Sequence, residues 1–257
     1  MTTRAGGVST GPWASLNLGR AVGDLPAAVQ ANRHRFAASL GWPQRARPGG
    51  GAAEGAPARP VWLHQVHGAS VIELDANTPD HPAEPADAAW TRTAGIACVV
   101  GAADCLPVLF AVRDGRAVAA AHAGWRGLAA GVLEAVVRSL GRGAGARPAD
   151  LIAWLGPCIG PRRFEVGADV LAAFGVAPNE ANHEHFRYAP RPDGAPRWLA
   201  DLQGLARRRL AALGVADVTA DDRCTVEEAR TFFSFRRAAG LEPSGRMAAA
   251  VWMQARR

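Results

Sequence analysis

Three short segments each end an apolar run with a metal-grade donor beside a turn. They read "VWLHQVHG" (61–68), "GAADCLPVLF" (101–110) and "VAAAHAGWRGLAAGV" (118–132), and the donors are His67, Cys105 and His122. Two imidazoles and a thiolate suit zinc, which takes four ligands and in catalytic sites keeps one position open. Each residue also has a plainer reading. His67 before Gly68 suits a surface turn, and Cys105 among apolar neighbours suits a small core hydrophobe. His122 suits a core histidine bonded to a backbone carbonyl. The separations are far longer than those of a CxxC-type signature. Spacing alone argues only weakly for a metal.

For these donors to meet, the segments must be strands whose ends share one rim. "IACVVGA" (96–102) and "LPVLFAV" (106–112) predict buried strands, and "RDGR" (113–116) supplies an Asp-Gly hairpin turn into "AVAAAHA" (117–123). After a turn at 124–127, Leu128, Val132, Val136 and Leu140 recur at helical spacing, in a helix ending near Gly141. "LIAWLG" (151–156) predicts a strand and "EVGADVLAAFG" (165–175) a helix. "LADLQGLARRRLAALG" (199–214) is the clearest amphipathic helix, with Leu202, Leu205, Leu210 and Leu213 on its inner side. Hairpin-linked strands with helices between them imply an α/β chain of mixed sheets covered by helices.

Two stretches read as irregular. The tract at 43–60, "PQRARPGGGAAEGAPARP", has no large apolar residue to offset its ordering entropy and is expected as a mobile loop. The other is "PNEANHEHFRYAPRPDGAPRW" (178–198). Apolar strands flank both, so residues 1–257 are expected to form a single catalytic domain.

A chain of 257 residues with 49% hydrophobic content can bury a full core. No run approaches the ~20 apolar residues of a membrane-spanning helix. The N-terminal stretch lacks the apolar middle of a secretory signal, and a cytoplasmic protein is expected. Cys98, Cys105, Cys158 and Cys224 are scattered, and reduced thiols are expected. The net charge of +6 comes from dispersed residues, the densest run being Arg207-Arg208-Arg209, expected as a solvated helix face. Neither a nucleic-acid partner nor a membrane is expected, and nothing in the pattern sets an oligomeric state. All 29 basic residues are arginine. Without lysine there is no Schiff base and no P-loop lysine, so phosphate must be met by Arg, backbone N–H groups or a metal.

"SLNLG", "QVHG", "ADCLPV", "HAGWRG", "LGPCIGP…FEVG" and "DRCT…FFSFRR…GR" occur in this order. Together they resemble the bacterial family labelled multicopper polyphenol oxidase or laccase domain, described as zinc-dependent purine nucleoside phosphorylases with adenosine deaminase activity. The resemblance runs from "TRAGGVS" to "SGRMAAAVW". It implies a single-domain αββα sandwich. It also implies zinc held by the His of "QVHG", the Cys of "ADC" and the His of "HAGWRG", which are His67, Cys105 and His122. The implied substrates are small molecules: phosphate with adenosine, inosine, guanosine or methylthioadenosine. Family members usually carry a strand ahead of "TRxGGVS", whereas this chain starts almost at that motif, and a late start is expected. The tract at 43–60 is longer than the family's usual connection.

Copper laccase activity is not expected. The seven histidines, with His183-Glu-His185 as the only His-X-His pair, are too few for the copper clusters of a multicopper oxidase. A single copper would still suit Cys and His donors. Phosphorolysis needs an anion site, and Arg126 at a helix start is the first candidate, through its guanidinium and the N-terminal amides. A structural salt bridge is the alternative for Arg126. Deamination would use water activated by zinc near neutral pH. Gln65 and Asn17 are amides suited to ribose or base edges, and Asn17 equally suits a turn. Asp104 reads equally as an orienter of the metal ligands or as a turn former. Cys224, with Arg236 and Arg237 of "FFSFRR", resembles the family's other pocket-lining segment, with a core thiol as the alternative for Cys224 and the two arginines as the alternative anion site to Arg126. One function of a different class stays open: hydrolysis of a wrongly attached amino acid from a UDP-muramyl peptidoglycan precursor, a role also attributed to relatives.

Overall fold

The computed structural model describes residues 1–41, 58–238 and 242–254. In chain order its first strands and helices are α1 (Pro26–Ser39), β1 (Arg59–Trp62), β2 (Val71–Glu73), β3 (Ala88–Thr91), β4 (Ile96–Ala102), β5 (Leu106–Val112) and β6 (Val118–Ala123). Then come α2 (Trp125–Ala129), α3 (Val132–Ala144), β7 (Leu151–Leu155), β8 (Glu165–Val166), α4 (Ala168–Ala173), β9 (Phe186–Tyr188) and β10 (Trp198–Ala200). The last are α5 (Leu202–Ala212), β11 (Asp217–Ala220), α6 (Phe235–Ala238) and β12 (Met247–Trp252).

The larger sheet is ordered β11-β7-β5-β6-β3-β2, antiparallel at its centre with a parallel pair at each edge. A second sheet, β1-β4-β12, joins one parallel and one antiparallel pair, and β8-β10-β9 form a small antiparallel third. Strand periodicity sorts the residues into layers. Ala97 and Val99 of β4 face outward, where Phe36 of α1 and Trp62 cover them. Their neighbours Cys98 and Val100 face inward onto Ala89 of β3 and Ala120 of β6. On the far side of the larger sheet, Leu133, Val136 and Leu140 of α3 and Leu205 and Leu210 of α5 cover Phe110, Ala119 and Ala121. The chain is a helix–sheet–sheet–helix sandwich, the expected fold.

Because β6 is covered on both faces, all of its positions are buried. Its run of alanines lets the two layers close in on it. His122 shares the parity of Ala120 and so belongs to the face between the sheets, at the strand's last turn of pleat. The β5–β6 hairpin forms as predicted, with Leu106 opposite Ala123 and Gly115 at φ 77 in the turn. An Asp-Gly pair provides that left-handed position without a Cβ clash.

Several expectations are corrected. The helix expected from Leu128 onward begins earlier, at Trp125, and divides at Gly131, whose φ of 90 ends α2 and caps α3. It then runs past Gly141 to Ala144. The segment 165–175 divides into a short strand and α4, and the irregular stretch 178–198 contains β9 and leads into β10 through the buried Phe186 and Trp198. Of the arginine triplet, Arg207 and Arg208 are exposed, but Arg209 turns inward to Glu134 at 2.5 Å. Residues 43–57 of the expected mobile loop lie outside the described residues. Ala58, however, is fully buried, and Arg59 and Pro60 open β1.

Candidate metal centre

The site begins with a carboxylate that sequence reasoning missed. Asp87 is fully buried just ahead of β3. It accepts hydrogen bonds from three successive backbone N–H groups, those of Val66 (3.1 Å), His67 (2.9 Å) and Gly68 (2.6 Å). That nest holds the turn in which His67 adopts φ 63, an uncommon conformation for a side-chain-bearing residue. The same carboxylate receives His122 Nδ1 at 2.8 Å, and the Asp87 carbonyl receives the His122 N–H at 2.7 Å. A carboxylate only accepts, so Nδ1 of His122 donates, and Nε2 is left for the cavity.

Cys105 follows β4 after Asp104, whose φ is 88. The Asp104 carboxylate does not touch the metal ligands. It accepts from Thr225 Oγ1 (2.5 Å), Ser234 Oγ (3.0 Å) and the Arg236 N–H (2.6 Å), and so ties the 225–236 segment beneath the cysteine. His67, Cys105 and His122 thereby converge, with one donor atom from each lying within 4.8 Å of the others. The two imidazoles meet edge to face, with centroids 4.8 Å apart. A Cβ on Gly124 would stand 2.9 Å from the Cys105 sulfur and 3.2 Å from the His67 ring, so only glycine leaves room for this convergence.

Burial pushes the Cys105 thiol up, but the His122 charge and hydrogen bonds from His122 and His67 outweigh it and bring the thiol down to about 6. Burial pulls His122 down, and Cys105 together with Asp87 more than reverses this, to about 9. For Asp87, burial acts upward and the bonds from His122 and the turn act downward, and the carboxyl ends below its ordinary range. A cysteine poised as thiolate is what a metal ligand must be. The donor set of two nitrogens and one sulfur fits zinc, and also copper.

The trio lines a cavity of about 750 Å³. Gln65 lines it too, but its amide is clipped to Gly101 of β4, Nε2 donating to the carbonyl (2.9 Å) and Oε1 accepting the N–H (2.7 Å). Arg126 lines the cavity, is exposed, and lies over the Trp125 ring at 4.3 Å. Among the described residues it forms no ion pair, so the salt-bridge alternative is not what holds it. Helix α2, in which Arg126 sits, has only five residues.

Asn17 and Cys224 are not brought into the cavity lining. Asn17 is fully buried, with its amide engaged by Asp24, Gly19 and the Arg246 N–H. Cys224 is buried beside Cys158, its sulfur accepting the Gly160 N–H at 3.2 Å. All four cysteines are free thiols, as expected. Several lining residues were not singled out from the sequence, Arg246 and Phe235 among them. Arg246, from "SGRMAAAVW", has Nη1 held by the Ser244 and Gly245 carbonyls at 2.8 and 3.1 Å. Phe235 is 57% exposed beside it, with the Arg246 guanidinium 5.9 Å from its ring centroid. The signal for both lay only in the motif order.

Fold and site thus define an α/β sandwich with a Cys-His-His centre at the rim of its two main sheets. The chain belongs to the family described as multi-copper polyphenol oxidoreductase laccase, which matches residues 1–254. It is 47% identical to purine nucleoside phosphorylase PA4543 of Pseudomonas aeruginosa, over 99% of this chain and 92% of that one. It is 44% identical to purine nucleoside phosphorylase YfiH of Escherichia coli, over 98% and 92%. Among solved structures, YlmD of Geobacillus stearothermophilus is similar with a TM-score of 0.82 at 32% identity, over 99% of this chain and 90% of that one. Protein NMB0706 of Neisseria meningitidis is similar with a TM-score of 0.81 at 40% identity, over 99% and 93%. No helix among the described residues is long and apolar enough to cross a membrane.

Proposed function

We propose that the chain is a zinc-dependent purine nucleoside phosphorylase that also deaminates adenosine. The observation that carries this reading is one cavity holding both the donor trio and two guanidinium groups, Arg126 and Arg246, that form no ion pair among the described residues. The names borne by relatives over nearly their whole length support the reaction. Reduced thiols and a nucleoside substrate suit a cytoplasmic enzyme.

Phosphorolysis forms a bond between a phosphate oxygen and C1′ of the ribose and breaks the C1′–N bond, the electron pair leaving with the purine. In this reading Arg126 and Arg246 hold the phosphate dianion and turn one oxygen toward C1′, each planar guanidinium gripping two oxygens. Fixing the attacking group in this way supplies much of the rate. Phe235 offers the purine a flat apolar face. His67, Cys105 and His122 would hold a zinc ion, which when bound would supply Lewis-acid polarisation. Asp87 keeps the His122 ring oriented, and Gln65 ties the His67 loop to β4. Deamination uses the same base-binding wall and needs no phosphate.

The test incubates purified protein with adenosine, with and without phosphate, and separately with a UDP-muramyl peptidoglycan precursor carrying an amino acid. Chromatography should show adenine and ribose 1-phosphate only when phosphate is present, and inosine in both cases. Release of the amino acid without any nucleoside turnover would overturn the reading in favour of the amidase.

A further inference from the structure

The cavity carries more positive charge than phosphorolysis uses. Besides Arg126 and Arg246, it is lined by Arg20, Arg33 and His81, contributed by three separate segments of the chain. Arg33, from α1, is held in a built position. Its guanidinium lies over the Trp62 ring at 3.9 Å, its Nε donates to the Leu18 carbonyl at 2.9 Å, and its Nη1 stands 3.4 Å from His81 Nε2. Trp62 in turn donates its backbone N–H to the Asp80 carbonyl at 2.9 Å, which seats His81 beside the platform. Stacking and the Nε bond fix the plane of the guanidinium, Nη1 faces His81, and Nη2 remains for a partner.

The acids nearby are committed elsewhere. Asp80 pairs with Arg59 at 2.7 Å. Asp24 accepts from Ser9, Asn17 and the Leu25 N–H. Among the described residues no ion pair reaches Arg20, Arg33 or His81, so the two guanidinium groups repel each other and disfavour protonation of His81, which as a neutral imidazole can accept from Arg33. Burial first, then Arg20, hold Arg33 down to about 9. Burial, Arg20 and Arg33 hold His81 down to about 4, with Asp80 opposing only in part. Two arginines without an acidic partner, gathered in one cavity, cost stability when the cavity is empty, and such arrangements concentrate at functional sites.

We propose that Arg20, Arg33 and His81 form a second anion subsite of this cavity, one that takes a phosphoryl group. Donors arriving from three segments suit a tetrahedral group with several free oxygens better than a planar carboxylate, and two arginines suit a dianion. Two sources have this chemistry: free orthophosphate and the 5′-phosphoryl of a nucleotide. The choice of an adenine nucleotide as probe rests on the proposed purine specificity, but the subsite itself does not.

Calorimetric titrations of wild type, Arg20→Gln and His81→Gln with inorganic phosphate, adenosine and adenosine 5′-monophosphate test the idea. Arg20 is exposed and no described hydrogen bond depends on its side chain, so its variant should fold, and a melting curve checks this. The expected result is at least a tenfold loss of affinity for a phosphoryl probe in Arg20→Gln, with adenosine binding unchanged. A loss confined to the monophosphate assigns the subsite to a nucleotide's phosphoryl group, and a loss for orthophosphate assigns it to the free ion. If neither phosphoryl probe binds wild type, or both bind the two variants as they bind wild type, the proposal is overturned. None of these titrations needs turnover, so a failure of the phosphorolysis reading would appear separately, in the product assay.

Discussion

Asp87 does the work that the sequence suggested for Asp104. One carboxylate closes the His67 turn through three N–H groups and orients His122 through its ring nitrogen. Replacing Asp87 with Asn keeps the shape but removes the charge and turns one acceptor into a donor. Metal affinity should fall about 10–100-fold, the usual cost of losing a ligand's orienting partner, as read by competition with a chelating dye. Unchanged affinity in a folded Asp87→Asn protein would remove Asp87 from the centre. The direct ligands should cost more: Cys105→Ser or His122→Ala should lose most of the bound metal in elemental analysis. Arg126→Lys keeps a positive charge but loses the planar fork. It should impair phosphorolysis, measured with inosine and varied phosphate, by about tenfold through a raised phosphate KM, while deamination of adenosine holds. An unaltered phosphate dependence would move the anion contact to Arg246. The ligand trio was legible because each donor sat in a recognisable segment. Asp87 was not, since it lies 20 residues from His67 and 35 from His122 and is held mostly by backbone N–H groups, which leave no letter in the sequence.

At the scale of elements, local chemistry was legible where one residue type decides the geometry. The Asp-Gly turn fixed the β5–β6 hairpin, and the spacing of Leu128, Val132, Val136 and Leu140 identified a buried helical face, all four being fully buried. The division of that face into α2 and α3 was less visible, because a single glycine in a helical pattern reads equally as a tolerated interior residue. Continuation past Gly141 has a tertiary cause. Gly143 lies against the Trp90 indole, and a Cβ there would stand 2.2 Å from the ring. The helix keeps a poor helix former because β3 needs the space. Gly143→Ala should therefore destabilise the protein by about 1–3 kcal/mol, the usual cost of overpacking, despite alanine's better propensity. Urea unfolding should show the lower midpoint with an unchanged m-value. A stabilised variant would mean that Trp90 can move aside. Strands β9 and β10 were hidden for the opposite reason: their polar and proline-rich surroundings masked two buried aromatics, Phe186 and Trp198.

At the scale of the molecule, the two main sheets and their covering helices bury separate apolar clusters, and the metal ligands sit at the rim. His67 is held by Asp87, Cys105 by the loop that Asp104 ties down, and His122 by the ladder of β6. None of these restraints passes through a metal bond. The fold should therefore survive loss of the metal, unlike a zinc finger, in which the metal is the core. Treatment with a strong chelator should remove the ion and the activity together while the far-ultraviolet circular dichroism spectrum stays unchanged. The melting temperature should still drop, because a ligand that binds only the native state stabilises it by about 4 kcal/mol at a thousandfold excess over Kd. For a chain of this size that corresponds to roughly 2–4 °C for each kcal/mol. The metal-free protein should melt in one cooperative step, and added zinc should restore both the activity and the higher melting temperature. An unfolded spectrum after chelation would show instead that the rim cannot hold its shape alone, with Asp87 and Asp104 insufficient to keep the three ligands in place.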